Sequence, residues 1–142
     1  MASSASKTKP QKQITLSGKV IAITGANRGI GLGIADCCLS NDAAAVYSID
    51  IGETGEEFDS VAKQHPGKLH AIKADVTKEE SVTGAIEKIL KQAGGLHGMV
   101  VNAGRTKHKP ALDFTTDEIE QLWNVNVSSE DLAENRLEWL LT

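Results

Sequence analysis

Three glycines that lie close together near the start of the chain, Gly25, Gly29 and Gly31, have a spacing suited to binding an anion. Glycine takes a positive φ without strain, so Gly25 lets the chain leave a strand in a tight turn. Gly29 has no Cβ, so an anionic group can approach the backbone there, and Gly31 lets a following helix pack near the strand. The free N–H groups and the dipole at the start of that helix favour phosphate. The glycines therefore predict a phosphate-binding turn.

The residues around these glycines predict a strand, a turn and a helix. An apolar run, residues 20–23, precedes the glycines, and a helical apolar pattern over residues 32–39 follows them. This is the context that nucleotide binding requires. A P-loop would need Gly-Lys where Ile30 and Gly31 stand, and Gly25 does not begin a Gly-x-Gly-x-x-Gly pattern. The pattern is Thr-Gly-x-x-x-Gly-Ile-Gly, and a glycine-rich turn without a ligand is the alternative.

An acidic residue, Asp50, ends the next apolar run, residues 43–50. An acid at this distance beyond a glycine turn can accept hydrogen bonds from the hydroxyls of an adenosine ribose. A carboxylate there repels a 2′-phosphate and so favours NAD over NADP. Arg28, inside the turn, has the opposite effect because it can pair with that phosphate. We expect NAD or NADP as the cofactor, with NAD slightly favoured, and an ordinary turn acid at the end of a strand is the alternative.

The rest of the chain alternates strands with helices. The predicted strands are residues 20–23, 43–50, 68–76 and 96–101. Two capping boxes, Thr77 to Glu80 and Thr115 to Glu118, predict the starts of the third and fourth helices. Together these elements predict an α/β fold: a three-layer, Rossmann-type doubly wound parallel sheet with right-handed crossovers, truncated to its first four strands.

Composition excludes several classes of function. The chain of 142 residues has a formal net charge of −4, which argues against nucleic acid as a partner. No apolar run approaches the ~18 residues of a membrane span, and no signal-peptide core precedes the first strand, so we expect a cytoplasmic protein without membrane contact. The adjacent Cys37 and Cys38 are expected to be small apolar residues in a reducing compartment. His65 and His70 have no partner cluster, so we expect no metal site.

The chain divides into three predicted segments. Residues 1–15 are predicted to form a disordered tail, because Ser, Ala and Lys dominate its composition without an acidic residue; a transit peptide is the alternative. Residues 16–127 form the predicted nucleotide-binding half-domain. Residues 128–142 form a divergent, charged tail with a partly clustered helical pattern of leucines.

Several motifs now align together: Thr24 to Gly31, Asp50, Asp75-Val76, Asn102-Ala103-Gly104, and Val125-Asn126-Val127. In type, order and approximate spacing they resemble the classical short-chain dehydrogenase/reductase family. The resemblance covers about residues 16–127, and the style of the sequence is similar to fungal members that handle sugars or polyols.

The resemblance implies a cofactor-binding role for each matching residue. Those around the pyrophosphate and the adenosine ribose are Gly25, Asn27, Arg28, Gly29, Ile30, Gly31 and Asp50. Asp75 would bind the adenine amino group, and Val76 would flank the adenine ring. Those near the nicotinamide half are Asn102, Ala103 and Gly104. Asn126 corresponds to the asparagine with which the family supports a water in its proton relay, which makes it an accessory catalytic residue.

The chain departs from the family after Val127. The family there continues with a catalytic serine and a Tyr-x-x-x-Lys, in which the tyrosine is the general acid and base. This chain has one tyrosine, Tyr47, inside the second predicted strand, and no Tyr-x-x-x-Lys. Its charged ending resembles the product of a shifted frame or an unspliced intron. We therefore expect a catalytically inactive chain.

Three functional hypotheses remain, with a Rossmann-type methyltransferase as a more remote fourth. The first is a nucleotide-binding fragment of an oxidoreductase that transfers hydride between NAD(P)(H) and a carbonyl or alcohol. The second is a non-catalytic nucleotide-binding or interaction module that forms a homo- or hetero-oligomer with a full-length family member through the exposed edge of the fourth strand. The third is a product without function, because that uncovered strand prevents stable folding.

Overall fold

The computed structural model describes residues 15–133 and residue 135. The predicted disordered tail, except residue 15, and residues 134 and 136–142 of the divergent tail lie outside the described residues. The strands are β1 (Val20–Thr24), β2 (Ala45–Asp50), β3 (Leu69–Lys73) and β4 (Gly98–Val100). The α-helices that these strands alternate with are α1 (Gly29–Ser40), α2 (Glu56–Gln64), α3 (Glu79–Ala93) and α4 (Thr116–Trp123).

The four strands form one parallel sheet in the order β3-β2-β1-β4. The register pairs Thr24, the last residue of β1, with Ile49, and it pairs Asp50, the last residue of β2, with Lys73. Because parallel strands end at the same edge, the segments that follow all four strands meet there. This sheet confirms the predicted fold class.

Helices cover both faces of the sheet. On one face, Ile49 and Ile72 pack in a cluster with Ile86 and Ile89 of α3. On the other face, a second cluster joins β1 and β2 to α1 and α2; its larger members are Ile23, Leu32, Leu39, Val46 and Phe58. All five residues of β1 are buried, as expected for a central parallel strand. The three layers hold β1, and with it the glycine turn, in the middle of the molecule.

The two predicted capping boxes have different outcomes. At α4 the box is present: Thr115 accepts a hydrogen bond from the Glu118 N–H, and the Glu118 side chain accepts one from the Thr115 N–H. At α3 the prediction is wrong, because the helix begins one residue after Lys78, which has no side-chain cap. The Thr77 hydroxyl donates instead to Asp75 Oδ1, at 2.7 Å. A carboxylate two residues earlier competes for the hydroxyl, as in other local turns of this kind.

Within the described residues, no helix has both the length and the apolar composition needed to cross a membrane.

Candidate functional site

A cavity of about 890 Å³ opens at the carboxyl edge of the sheet, where the glycine turn meets the ends of β2, β3 and β4. Eleven of the twelve predicted cofactor-binding residues line it: Gly25, Arg28, Gly29, Ile30, Gly31, Asp50, Asp75, Val76, Asn102, Ala103 and Gly104. The twelfth, Asn27, lies behind the wall, and the predicted accessory residue Asn126 does not line the cavity either. The fold therefore brings together residues that lie far apart in the sequence.

Close packing explains two of the glycines. Gly25 has φ +67°, and a Cβ there would lie 2.9 Å from the Ala103 Cα. A Cβ on Gly31 would lie 2.5 Å from the Gly25 carbonyl oxygen and 2.6 Å from Asn102 Nδ2. Any side chain at Gly31 would therefore push the start of α1 away from the end of β1.

The start of α1 offers uncapped N–H groups to the cavity. Its N-cap residue, Arg28, makes no side-chain cap, and no acidic residue lies in the first turn. Gly29 has φ +60°, and no atom lies within 4 Å of the position that a Cβ would take. The first N–H groups of a helix need partners from outside the helix. An anion in the cavity can supply them, and the helix dipole favours it.

Thr24 and Asn102 tie the end of β4 to the glycine turn. The buried Thr24 hydroxyl accepts hydrogen bonds from the N–H groups of Asn102, at 3.0 Å, and Ala103, at 2.9 Å. In return, Asn102 Nδ2 donates to the carbonyl oxygens of Thr24, at 3.0 Å, and Gly25, at 3.3 Å. These bonds use the Asn102 side chain for holding the two walls of the cavity together.

The Asp75 carboxylate lies two residues after the end of β3 and is held by local hydrogen bonds. Its Oδ1 accepts hydrogen bonds from the Thr77 hydroxyl and from the Thr77 N–H, at 3.0 Å. The two Thr77 hydrogen bonds hold the pKa of the Asp75 carboxyl below its usual range; burial opposes them, and the Lys78 ammonium adds a smaller lowering effect. An ionised carboxylate only accepts hydrogen bonds. Asp75 can therefore receive an N–H donor, such as an amino group, in the cavity.

Asp50 is held by the two loops on either side of it. Its Oδ2 accepts a hydrogen bond from the Asn27 N–H, at 3.2 Å, and its Oδ1 accepts one from the Gly52 N–H, at 2.9 Å. The carboxylate therefore has a fixed orientation at the cavity wall.

Asn126 fixes the segment that follows β4. It lies in a π-helical turn, Asn124–Ser128, that continues α4. Its Oδ1 accepts a hydrogen bond from the Arg105 N–H, at 2.9 Å, and its Nδ2 donates to the Arg105 carbonyl oxygen, at 3.0 Å. Both polar atoms of the side chain are thus engaged with the backbone. The predicted water-supporting role stays a prediction.

Sequence reasoning missed several residues of the cavity wall, among them Arg105, Gln121 and Asn124. The Arg105 guanidinium donates to Gln121 Oε1, at 3.1 Å. A spacing of three residues places Gln121 of α4 and Asn124, the first residue of the π-helical turn, on one face of the continuous helix, and this signal in the sequence could have identified them. Arg105 carries no such signal, because only the fold brings it to the cavity.

The one tyrosine of the chain lies away from the cavity. Tyr47 is 3% exposed in the middle of β2 and stacks on His70 with 4.7 Å between ring centroids. It cannot reach a group in the cavity without unfolding the sheet. Within the described residues, no three His, Cys, Asp or Glu side chains come together as a metal site.

The family model for short chain dehydrogenase matches residues 19–130. Cyclopentanol dehydrogenase of Comamonas sp. (strain NCIMB 9872) is 33% identical over 116 residues, which are 80% of this chain and 46% of the relative. Hydroxynaphthalene reductase-like protein Arp2 of Metarhizium majus is 34% identical over 118 residues, which are 82% of this chain and 44% of the relative. The chain thus spans about half the length of the curated relatives it matches.

Solved structures of reductases superpose on most of this chain, and the chain again covers about half of each. A 3-ketoacyl-(acyl-carrier-protein) reductase from Brucella melitensis, complexed with NADH, superposes with a TM-score of 0.76 at 29% identity, over 87% of this chain and 50% of that one. An NADPH-dependent 3-quinuclidinone reductase from Rhodotorula rubra superposes with a TM-score of 0.77 at 27% identity, over 93% of this chain and 53% of that one.

Proposed function

The chain belongs to the short chain dehydrogenase family, and from this membership we propose that it binds a nicotinamide adenine dinucleotide in the cavity at the carboxyl edge of the sheet. The observation that carries the proposal is the uncapped start of α1 at Gly29, which opens into a cavity whose walls also carry the carboxylates of Asp50 and Asp75. The pyrophosphate lies against the N–H groups of the glycine turn. Asp50 accepts from the adenosine ribose, and Asp75 accepts from the adenine amino group beside Val76.

The remaining predicted residues complete the binding site in this proposal. Ile30, 80% exposed, covers the adenosine from the glycine turn. The segment Asn102, Ala103 and Gly104 borders the nicotinamide half. NAD is slightly favoured over NADP, because the Asp50 carboxylate repels a 2′-phosphate, although Arg28 attracts it. One similar structure is complexed with NADH and another is NADPH-dependent, so Asp50 is the main support for the preference.

The reaction class proposed for the whole protein is hydride transfer between NAD(P)(H) and a carbonyl or alcohol, where the cofactor supplies the hydride chemistry. The residues of this chain bind and orient the cofactor. The 142-residue chain by itself is inactive, because its only tyrosine is Tyr47 and no Tyr-x-x-x-Lys is present. The family's tyrosine acts as a general acid, and a general acid contributes a factor of about 10²–10⁴ to the reaction rate. Its absence therefore accounts for the proposed inactivity.

Isothermal titration calorimetry of the purified chain with NAD⁺, NADP⁺ and ADP tests the binding proposal, and circular dichroism establishes that the sample is folded. We expect saturable binding of both dinucleotides, tighter for NAD⁺. A matched control is Thr83→Ala on α3, because the Thr83 hydroxyl donates to the Glu79 carbonyl oxygen on the surface, and Thr83 does not line the cavity. The control should bind as the wild type does. A folded chain that binds none of the three nucleotides would contradict the proposal.

The proposed inactivity has its own assay. NAD(P)H oxidation is followed with a panel of aldehydes and ketones, using protein freed of host reductases. We expect no turnover above the blank. Turnover that persists through the contaminant controls, and that Gly31→Val removes, would overturn the inactivity and leave the binding proposal intact.

A second candidate is an interaction module that pairs with a full-length family member. Two observations favour it: within the described residues β4 pairs only with β1, and α4 exposes Ile119 to 53% and Trp123 to 61%. An unpaired strand edge and exposed apolar side chains are each typical of docking surfaces. Co-expression with a tagged full-length member should yield a complex that survives size-exclusion chromatography. Elution of this chain as a monodisperse free monomer would contradict this candidate.

A further inference from the structure

Asn27 closes a ring of hydrogen bonds around the Asp50 carboxylate. The Asn27 N–H donates to Asp50 Oδ2, at 3.2 Å, and the Gly52 N–H donates to Asp50 Oδ1, at 2.9 Å. Asn27 Nδ2 then donates to the Gly52 carbonyl oxygen, at 2.9 Å. Two loops that follow different strands are thus joined to each other and to the same carboxylate.

A buried hydroxyl supports this ring from behind. Ser48 is 0% exposed, and its Oγ donates to Asn27 Oδ1, at 2.7 Å. Asn27 is 6% exposed and does not line the cavity. Its amide oxygen and nitrogen are therefore both used inside the protein. Hydrogen bonds in such a poorly solvated position are costly to break, so they hold the Asn27 side chain in one orientation.

The ring leaves Asp50 able to bind a ligand. A carboxylate has about four lone-pair sites, and the two N–H donors occupy one on each oxygen. Asp50 itself lines the cavity. Its remaining lone pairs can accept from a ligand, in a direction that the two loops determine.

We propose that Asn27, supported by Ser48, is a positioning residue that sets the selectivity between a ribose 2′-hydroxyl and a 2′-phosphate by fixing the direction of the Asp50 carboxylate. The inference rests on the proposed binding of a dinucleotide. A fixed carboxylate accepts a hydrogen bond from the 2′-hydroxyl and repels the 2′-phosphate. A carboxylate that can rotate away from the cavity binds the hydroxyl more weakly and repels the phosphate less. Both changes lower the selectivity for NAD over NADP.

The test compares the ratio of dissociation constants, Kd for NADP⁺ over Kd for NAD⁺, in the wild type and two variants. Asn27→Ala removes the bonds to Gly52 and Ser48 but keeps the backbone N–H that binds Asp50. The ratio should fall about tenfold, the order of one neutral hydrogen bond. Ser48→Ala removes only the bond behind Asn27, and its ratio should fall less, by about threefold. In the control Ile89→Val, a core residue on the other face of the sheet, the stability should fall and the ratio should stay unchanged.

A second measurement needs no nucleotide. Amide hydrogen exchange at Gly52 should become about tenfold faster in Asn27→Ala, because its carbonyl is no longer tied down. Exchange at Gly25, whose N–H donates to the Ile49 carbonyl oxygen at 2.8 Å, should not change.

The outcomes separate this inference from the function on which it rests. If the folded wild type binds no dinucleotide, both the proposed function and the inference are overturned. If the wild type binds and Asn27→Ala keeps the wild-type ratio, only the inference is overturned. If Asn27→Ala does not fold, Ser48→Ala decides: a reduced ratio supports the inference, and an unchanged ratio overturns it.

Discussion

The two walls of the cavity differ in how deeply the residues that support them are buried. The glycine-turn wall consists of the glycine turn and the ends of β2 and β3, and it is backed by β1 and β2, whose central residues are buried. The α4-side wall consists of residues 102–105, which follow β4, and of Gln121, Asn124 and Val125. The elements behind this second wall are less buried: all three residues of β4 are only partly buried, and Trp123 of α4 is 61% exposed.

The polar groups on the two sides of the cavity differ in the same way. Asn27, which donates to Asp50, is supported from behind by the buried Ser48. Near the α4-side wall, Lys107 and Lys109 pair with Glu118, and all three side chains are partly exposed. The Asp50 carboxylate is therefore held by more deeply buried groups than those near α4.

The largest expected effect comes from comparing a side chain in the core under the sheet with one on α4. Ile89 is fully buried under the sheet, whereas Ile119 on α4 is 53% exposed. Ile89→Ala should lower the free energy of unfolding by about 2–5 kcal/mol, and Ile119→Ala should change it by less than about 0.5 kcal/mol. Urea denaturation followed by circular dichroism measures both. Equal losses would show that α4 is packed as firmly as the core under the sheet, and would contradict the comparison.

A glycine pair within α1 tests the close approach of the helix to β1. Gly31→Ala places a Cβ 2.5 Å from the Gly25 carbonyl oxygen, so it should cost about 1–3 kcal/mol of stability and weaken nucleotide binding. Gly33→Ala is the matched control, since nothing lies within 4 Å of its Cβ; it should raise the stability by up to about 1 kcal/mol. Thermal denaturation and calorimetry give the two readouts. A stabilised Gly31→Ala variant with normal binding would refute the packing argument.

The anchoring of Asp75 predicts a pH dependence. The pKa of Asp75 is lowered in the folded chain, chiefly by the Thr77 hydroxyl, so its contribution to stability is present above the unfolded pKa and is lost as the pH falls through the lower, folded value. Asp75→Asn should therefore be less stable than the wild type at pH 6, by about 1 kcal/mol. The two should converge as the pH falls below the ordinary pKa of an aspartate and through the lower, folded value. Urea denaturation at a series of pH values checks this, and a difference that grows towards acid would contradict it.

The smallest effect is expected at Glu118. Lys107, Lys109 and the Thr115 N–H lower the pKa of Glu118 to about 2. In NMR the Glu118 side chain should titrate near that value, and in Lys109→Ala its midpoint should move up towards 4.5. The global stability should change little, because ion pairs between partly exposed side chains contribute little. A midpoint near 4.5 in the wild type would show that these pairs do not persist in solution.

The sequence predicted what depends on spacing and missed what depends on long-range contacts. Strand–helix alternation was enough for the parallel sheet, and the glycine spacing was enough for the start of α1. Thr77 and Thr115 stand in the same local pattern, yet Thr77 caps nothing because Asp75 takes its hydroxyl. The fourth strand was predicted over residues 96–101 and is Gly98–Val100, since only Ile21 to Ile23 of β1 pair with it.

In the candidate site, too, spacing was enough to predict some residues, and long-range contacts were missed. Asp50 could be recognised from its place at the end of a strand. The position of Asn27 behind the cavity wall could not, because it depends on Ser48 and Gly52, which lie 21 and 25 residues away in the chain. Nor could the contact of Asn126 with the Arg105 backbone, which joins two segments that the sequence analysis treated separately.

Titration of the ¹⁵N-labelled chain with NAD⁺, followed by amide NMR, tests the central claim most directly. Binding of the pyrophosphate at the start of α1 should move the amide resonances of Gly29, Ile30 and Gly31 most, with smaller shifts at Asp75 and none at Ile119. If these three resonances stay in place at saturating NAD⁺ while the spectrum remains that of a folded protein, the phosphates do not lie against the glycine turn, and the account is wrong.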